Sequence, residues 1–227
     1  MKAGTVGEVS STKSPEKKRS SRRNRWHLLL LALIFIAPVA ASYYFYYVAR
    51  PSGRTNFGTL IDPQRPLPAL VATDLTGQPI ALSSLKGQWL LLSVAGGACD
   101  SGCQENLYLQ RQIRAGLGKN QKRLEWVWLI DDDAAPPAGM RAGLSKARVL
   151  RLPADQIADW LVPEPGHTLS ESLYVVDPMG HWMMRFPPNL DEKTAPRARR
   201  DLSRLLYASE GWDRAGRGAV AEASRSQ

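Results

Sequence analysis

The sequence predicts an α/β domain carried behind a single membrane-spanning helix. Three observations predict it. An uncharged stretch, Trp26 to Ala49, is long enough to cross a bilayer. Short apolar runs of strand length then alternate with stretches of helical periodicity. The only two cysteines of the 227-residue chain, Cys99 and Cys103, sit where one such run hands over to a helix.

Residues 1–25 hold eight Lys and Arg against Glu8 and Glu16, so they account for six of the nine net positive charges. They lack apolar periodicity and read as a disordered basic tail. The domain beyond is close to neutral and has no basic stripe interleaved with aromatics, which excludes a nucleic-acid surface. Residues 26–49 read as the transmembrane helix, with Trp26 at one interface and Tyr43, Tyr44, Tyr46 and Tyr47 at the other. Pro38 is tolerated within a span. Val39-Ala40-Ala41 resembles a signal cleavage site, but the apolar run continues past it, so an uncleaved anchor is expected. The basic tail then stays cytoplasmic and the domain faces the periplasm of a two-membrane bacterium, where disulfides persist.

Residues 50–66 carry Pro51, Gly53, Gly58, Pro63 and Pro66 and read as a linker. The domain is expected over 67–210, with a disordered tail at 211–227. Ala69–Ala72 and Pro79–Leu82, split by Asp74-Leu75-Thr76-Gly77-Gln78, read as a β-hairpin. Trp89–Ala95 reads as a buried strand. Leu109, Ile113 and Leu117 at four-residue spacing predict the helix after the cysteines, stopped by Gly116 and Gly118. Leu124–Ile130 is a second core strand, followed by a loop with Asp131-Asp132-Asp133 and Pro136-Pro137. A helix near 138–145, a strand at 148–152 and a short helix at 154–161 follow. Leu173–Asp177 and His181–Phe186 read as an antiparallel hairpin around Pro178-Met179-Gly180. The last helix spans 191–209, with Leu202, Leu205 and Leu206 inward and Pro196 disturbing its first half.

Cys99 and Cys103 lie about one helical turn apart, so their sulfurs can meet one atom or each other. Two chemistries fit: a dithiol that cycles to a disulfide, and a thiolate pair that grips a soft metal. A helix N-terminus favours a thiolate by about 0.3–1 kcal/mol, less than one pKa unit. No Lys, Arg or His lies in the loop, whereas Asp100 and Glu105 oppose thiolate formation and favour a cation. A metal would deprotonate the thiols itself, which tilts the balance toward metal.

The element order resembles the thioredoxin fold. Ala72–Gln78 and Ser83–Trp89 resemble the entry segment of membrane-anchored thioredoxin-like proteins. The Cys-x-x-x-Cys spacing resembles the Sco/SenC family, as do Leu129-Ile130-Asp131 with its acidic, proline-bearing loop and Leu173–Gly180. That resemblance implies a copper-binding assembly factor for cytochrome c oxidase, a metallochaperone rather than an enzyme. Its partners would be the oxidase copper subunit or another assembly factor. It implies Cys99, Cys103 and His167 as copper ligands, which fits soft thiolates with one imidazole. The alternatives are a membrane-tethered thiol–disulfide oxidoreductase, with Cys99 and Cys103 as its redox pair, and a non-catalytic structural partner of a respiratory complex. Gln104 stands where the family usually has a proline. Leu169-Ser170-Glu171-Ser172 has no proline where oxidoreductases of this fold place a cis-proline.

Other candidates have plainer readings. His181 starts a strand and reads as exposed; His27 lies at the membrane boundary. Asp131, Asp132 and Asp133 lack calcium-loop spacing and read as a solvated strand end. Met183 and Met184 face opposite ways on a strand and read as core.

Overall fold

The computed structural model describes residues 18–47 and 56–211. The chain divides into two units, residues 1–54 and 55–227. In the first, helix α1 covers Lys18–Tyr47. Its Arg25–Tyr47 portion is long and apolar enough to cross a membrane, and its side chains are exposed along the whole length. The helix begins inside the stretch expected as a disordered tail, because the apolar run nucleates a helix that the preceding Lys, Arg and Ser residues can extend. Residues 1–17 and 212–227, the bulk of both expected tails, lie outside the described residues.

The second unit is one eight-stranded mixed sheet with helices on its faces. In chain order its strands are β1 Thr59–Pro66, β2 Val71–Asp74, β3 Pro79–Ala81, β4 Trp89–Ala95, β5 Leu124–Ile130, β6 Arg148–Arg151, β7 Tyr174–Val176 and β8 His181–Arg185. Its helices are α2 Ser101–Ala115, α3 Ala154–Trp160 and α4 Ala195–Ala208. The sheet order is β1-β8-β7-β4-β5-β6-β2-β3. The central β4 pairs parallel with β5 and antiparallel with β7, and β5 pairs parallel with β6.

Strand β4 is buried throughout, as a strand covered on both faces must be. Leu90, Leu92 and Val94 enter one core with Val127, Leu129, Leu150 and Trp160 of α3. Trp89 and Leu91 point the other way, into a core built with Leu109 and Ile113 of α2 and Leu202 and Leu206 of α4. Met184 is buried in that second core and Met183 packs at its edge. One buried polar group crosses this packing. Gln110 of α2 donates to the Leu91 carbonyl at 2.8 Å and the Val127 carbonyl at 3.3 Å, and accepts from the Ser93 hydroxyl at 3.1 Å. It fastens α2 over the two central strands.

Three expectations change. Thr59–Pro66, expected as linker, is an edge strand paired with β8. Its prolines are tolerated because an edge strand leaves one row of N–H groups unused, and the register shifts between Leu60 and Arg65, around Pro63. Its entry is held by Asp201 of α4, whose Oδ2 accepts the N–H groups of Phe57 at 2.6 Å and Gly58 at 2.9 Å. Pro196 opens α4 instead of disturbing it, since a proline in the first turn gives up no helical hydrogen bond. Residues 138–145 form a single short 3-10 turn, Ala138–Met140, and then further turns. The expected hairpins β2–β3 and β7–β8 are present.

Candidate functional site

The site lies at the carboxyl end of β4. The strand ends at Ala95, and Gly96-Gly97-Ala98-Cys99-Asp100 leads into α2. Asp100 caps the helix, its Oδ1 accepting the Cys103 N–H at 2.9 Å. The Cys99 N–H turns back onto the Gly96 carbonyl at 3.0 Å, and Cys99 adopts a left-handed conformation at φ 48. This turn brings the two cysteines to a Cα separation of 5.1 Å, and they are joined in a disulfide. Both are nearly buried, 3% exposed for Cys99 and 4% for Cys103. Their neighbours are apolar: Ala95, Leu107, Trp128 and Ile130.

The loop after β5 clamps the approach to Cys99. Asp132 Oδ1 accepts the Gly97 N–H at 2.7 Å and the Ala134 N–H at 3.0 Å. A Cβ placed on Gly97 would lie 1.8 Å from the Ala134 carbonyl oxygen, so only glycine permits this approach. Arg151 on β6 donates to the carbonyls of Asp132 and Ala134 and fixes the loop. The three aspartates are therefore more than a solvated strand end. Asp132 is a clamp, Asp133 is exposed, and burial together with the charge of Asp132 pushes the Asp131 carboxyl up.

On the other side, the turn Leu169–Glu171 faces α2. Asn106 Nδ2 donates to the Ser170 carbonyl at 2.8 Å. Cys103, Asn106, Thr168, Ser170, Glu171 and Leu190 are among the walls of a cleft of about 400 Å³. His167 is not one of those walls. Its Nδ1 bonds the Glu171 carboxylate, and that bond, with a second from Thr168, holds the Glu171 carboxyl below the usual range. Among the described residues no group of three or more His, Cys, Asp or Glu is placed to hold a metal ion. The structure thus joins Cys99 to Cys103 and does not gather His167 with them. In this oxidised form the sulfurs are bonded to each other, so the donor set for copper is not assembled.

His181 is half-exposed and engaged with Asp177, which accepts its backbone N–H at 2.7 Å. His27 lies exposed on α1. The sequence reading missed Asp132, Asn106 and Arg151. The Gly96-Gly97 pair was the signal for the first, since adjacent glycines mark a close backbone approach. Nothing local marks the other two, because their partners lie 64 and 17–19 residues away.

The solution structure of an apo Sco1 protein from Thermus thermophilus is similar at 18% identity and TM-score 0.49, covering 69% of this chain and 98% of that one. A SCO1/SenC family lipoprotein from Bacillus anthracis is similar at 17% identity and TM-score 0.48, covering 64% and 98%. The thioredoxin domain of a thiol-disulfide oxidoreductase from Bacteroides vulgatus is similar at 17% identity and TM-score 0.44, covering 62% and 95%. No curated protein matches. The family model described as the transmembrane-like, thioredoxin-like C-terminal domain matches residues 89–209, from β4 through α4 and more than half of the chain. The chain belongs to that thioredoxin-like family.

Proposed function

We propose that this is a membrane-anchored thiol–disulfide protein that exchanges its Cys99–Cys103 disulfide with the thiols of a partner. One observation carries the reading: a nearly buried disulfide at the junction of the central strand and its helix, closed across a single turn. Such a bond can open with little rearrangement elsewhere, because it joins no distant elements. The proposed layout places residues 1–25 in the cytoplasm, 26–49 in the bacterial inner membrane and the domain in the periplasm. The resemblance of the cysteine spacing to the Sco/SenC family supports a partner thiol pair in the copper subunit of cytochrome c oxidase, or in another assembly factor. The test is exchange of the full chain, in detergent, with glutathione buffers. Exchange within minutes supports the reading; a pair that stays oxidised in excess dithiol at neutral pH refutes it.

A second reading, copper as cargo of the reduced protein, rests on a different observation. Glu171 holds His167 by Nδ1, and a carboxylate in that position fixes the tautomer whose Nε2 offers a lone pair. The two thiols after reduction, with that imidazole, form a set suited to Cu(I). Anaerobic titration of the reduced chain with Cu(I) tests it. One copper per chain, lost in Cys99→Ser and weakened in His167→Ala, supports it; no stoichiometric uptake removes it.

A further inference from the structure

Residues 56–211 carry as many acidic as basic side chains, but the charges are not evenly spread. Helix α4 holds four arginines, Arg197, Arg199, Arg200 and Arg204, against one acid, Asp201. The arginines are exposed. Asp201 is buried, its carboxylate turned onto the N–H groups of Phe57 and Gly58. At about 100° per residue, Arg197, Arg200, Arg204 and Tyr207 fall within about 80° of arc and form one stripe along the helix. Ala198, Leu202 and Leu206 fall opposite and are buried in the core. Tyr207, at the end of the stripe, is 76% exposed.

Two observations say what this stripe faces. The first is where it meets the chain. The domain is entered beside α4: Phe57 is bonded to Asp201, and the Arg197 guanidinium lies over the Phe57 ring at 5.9 Å. Helix α1 ends at Tyr47, so about ten residues join the apolar helix to this face, at most about 35 Å of extended chain. The second is charge. From Glu16 to Asp62 the sequence has no Asp or Glu between them, and Arg50 and Arg54 stand in the connecting stretch. The connection and the stripe carry one sign of charge, complementary to anionic lipid headgroups.

We infer that the Arg197–Arg200–Arg204–Tyr207 face of α4 docks on the anionic headgroups of the membrane that anchors the chain. The arginines meet lipid phosphates and Tyr207 sits at headgroup level. The inference rests on the membrane-anchor reading above and is independent of the thiol chemistry. It also sets the direction of the site. Asp191, just ahead of α4, walls the cleft with Cys103. Ser209, just past α4, accepts from the indole N–H of Trp89 at the start of β4, at 3.2 Å. Helix α4 therefore runs antiparallel to β4. Laid along the lipid surface, it holds the disulfide end of β4 beside the membrane, within reach of a partner anchored in the same bilayer.

The experiment uses the oxidised full chain in nanodiscs of phosphatidylcholine, with and without phosphatidylglycerol. A fluorophore is placed on Ala208→Cys, an exposed position beside the stripe at the end of α4. A lipid with a nitroxide headgroup quenches it on contact. Val71→Cys, exposed on β2, carries the reference label. The expected result is strong quenching at position 208 in phosphatidylglycerol discs, and little in phosphatidylcholine discs or at position 71 in either. Quenching should vanish in about 1 M salt, where charges are screened beyond about 3 Å. Arg197→Gln, Arg200→Gln and Arg204→Gln together should weaken docking about a hundredfold. Arg111→Gln, Arg141→Gln and Lys146→Gln remove equal charge from exposed positions elsewhere and should leave docking intact. The salt series needs no charge variant, so it decides the matter even where a triple variant misfolds. Equal quenching in both lipids, quenching that persists in salt, or equal loss in both triple variants overturns the assignment. A label at position 208 that stays aqueous in phosphatidylglycerol discs overturns lipid docking and leaves the stripe to an acidic protein surface. A chain that does not co-elute with the discs overturns the anchor reading and this inference together. None of these results bears on exchange at Cys99 and Cys103.

Discussion

Replacing Asp132 with Ala removes the hydrogen bond that ties Gly97 to the loop after β5, at 2.7 Å, and the bond from the Ala134 N–H, at 3.0 Å, that shapes that loop. A hydrogen bond to a charged acceptor contributes about 1.5–3 kcal/mol when shielded from water. Asp132 is exposed, so the pair together contributes about 1–2 kcal/mol. In the reduced protein this clamp holds the turn in the shape the disulfide requires, which raises the effective concentration of one thiol at the other. Without it, oxidation must order the turn as well as form the bond. For a two-electron couple about 1.4 kcal/mol corresponds to 30 mV, so the potential of the pair should rise by about 20–40 mV. The assay is equilibrium titration in glutathione buffers, scored by alkylation and mass. Asp132→Asn keeps an oxygen acceptor and should shift the potential by less than half as much. Identical potentials in the wild type and Asp132→Ala, or a fall in the variant, would refute the reasoning.

The remaining predictions concern the frame around the pair. Gly97→Ala drives a methyl into the Ala134 carbonyl and should destabilise by about 1–3 kcal/mol, visible as a fall in Tm of several degrees. Asp100→Ala loses the cap on the Cys103 N–H and should cost about 1 kcal/mol, or about 2–4 °C in Tm for a domain of this size. Asp131 has its pKa raised by burial and by the charge of Asp132, so keeping it ionised costs the folded state free energy. Asp131→Asn should therefore raise Tm at pH 7, and the gain should vanish once pH falls below the unfolded Asp value of about 3.9. Glu171 has the opposite sign, with a carboxyl depressed by His167. The order it lends the Thr168–Glu171 turn should be present above the unfolded Glu value and lost as pH falls through its lower folded value. Amide exchange at Thr168 and Glu171 reports it.

The strands and the site were legible for one reason: burial dictates pattern. The near-apolar runs of β4 and β5 follow from cover on both faces, and the four-residue spacing of Leu109 and Ile113 follows from the buried face of α2, with Leu117 buried just past its end. Edge strand β1 was illegible because its burial is slight and its sequence carries prolines, which read as linker chemistry wherever a partner strand is not in view. Pro196 was misread because its effect depends on where the helix starts, and Thr194 rather than Asp191 marks that boundary. The cysteine pair was visible from spacing alone. The clamp was not, because Asp132 acts through a backbone 35 residues away, and local sequence carries no record of such pairings. The His167–Glu171 bond lies between residues four apart, yet a loop histidine beside a carboxylate is common enough that only coordinates distinguish it.

The reduction potential of the Cys99–Cys103 pair, measured on the full chain in detergent at pH 7, tests the central claim most directly. A pair that exchanges with partner thiols should equilibrate within minutes at a potential above about −300 mV, in the range of redox-active pairs of this fold. A potential well below that value, with exchange over hours, would mark a bond that only holds the loop closed and would contradict the account.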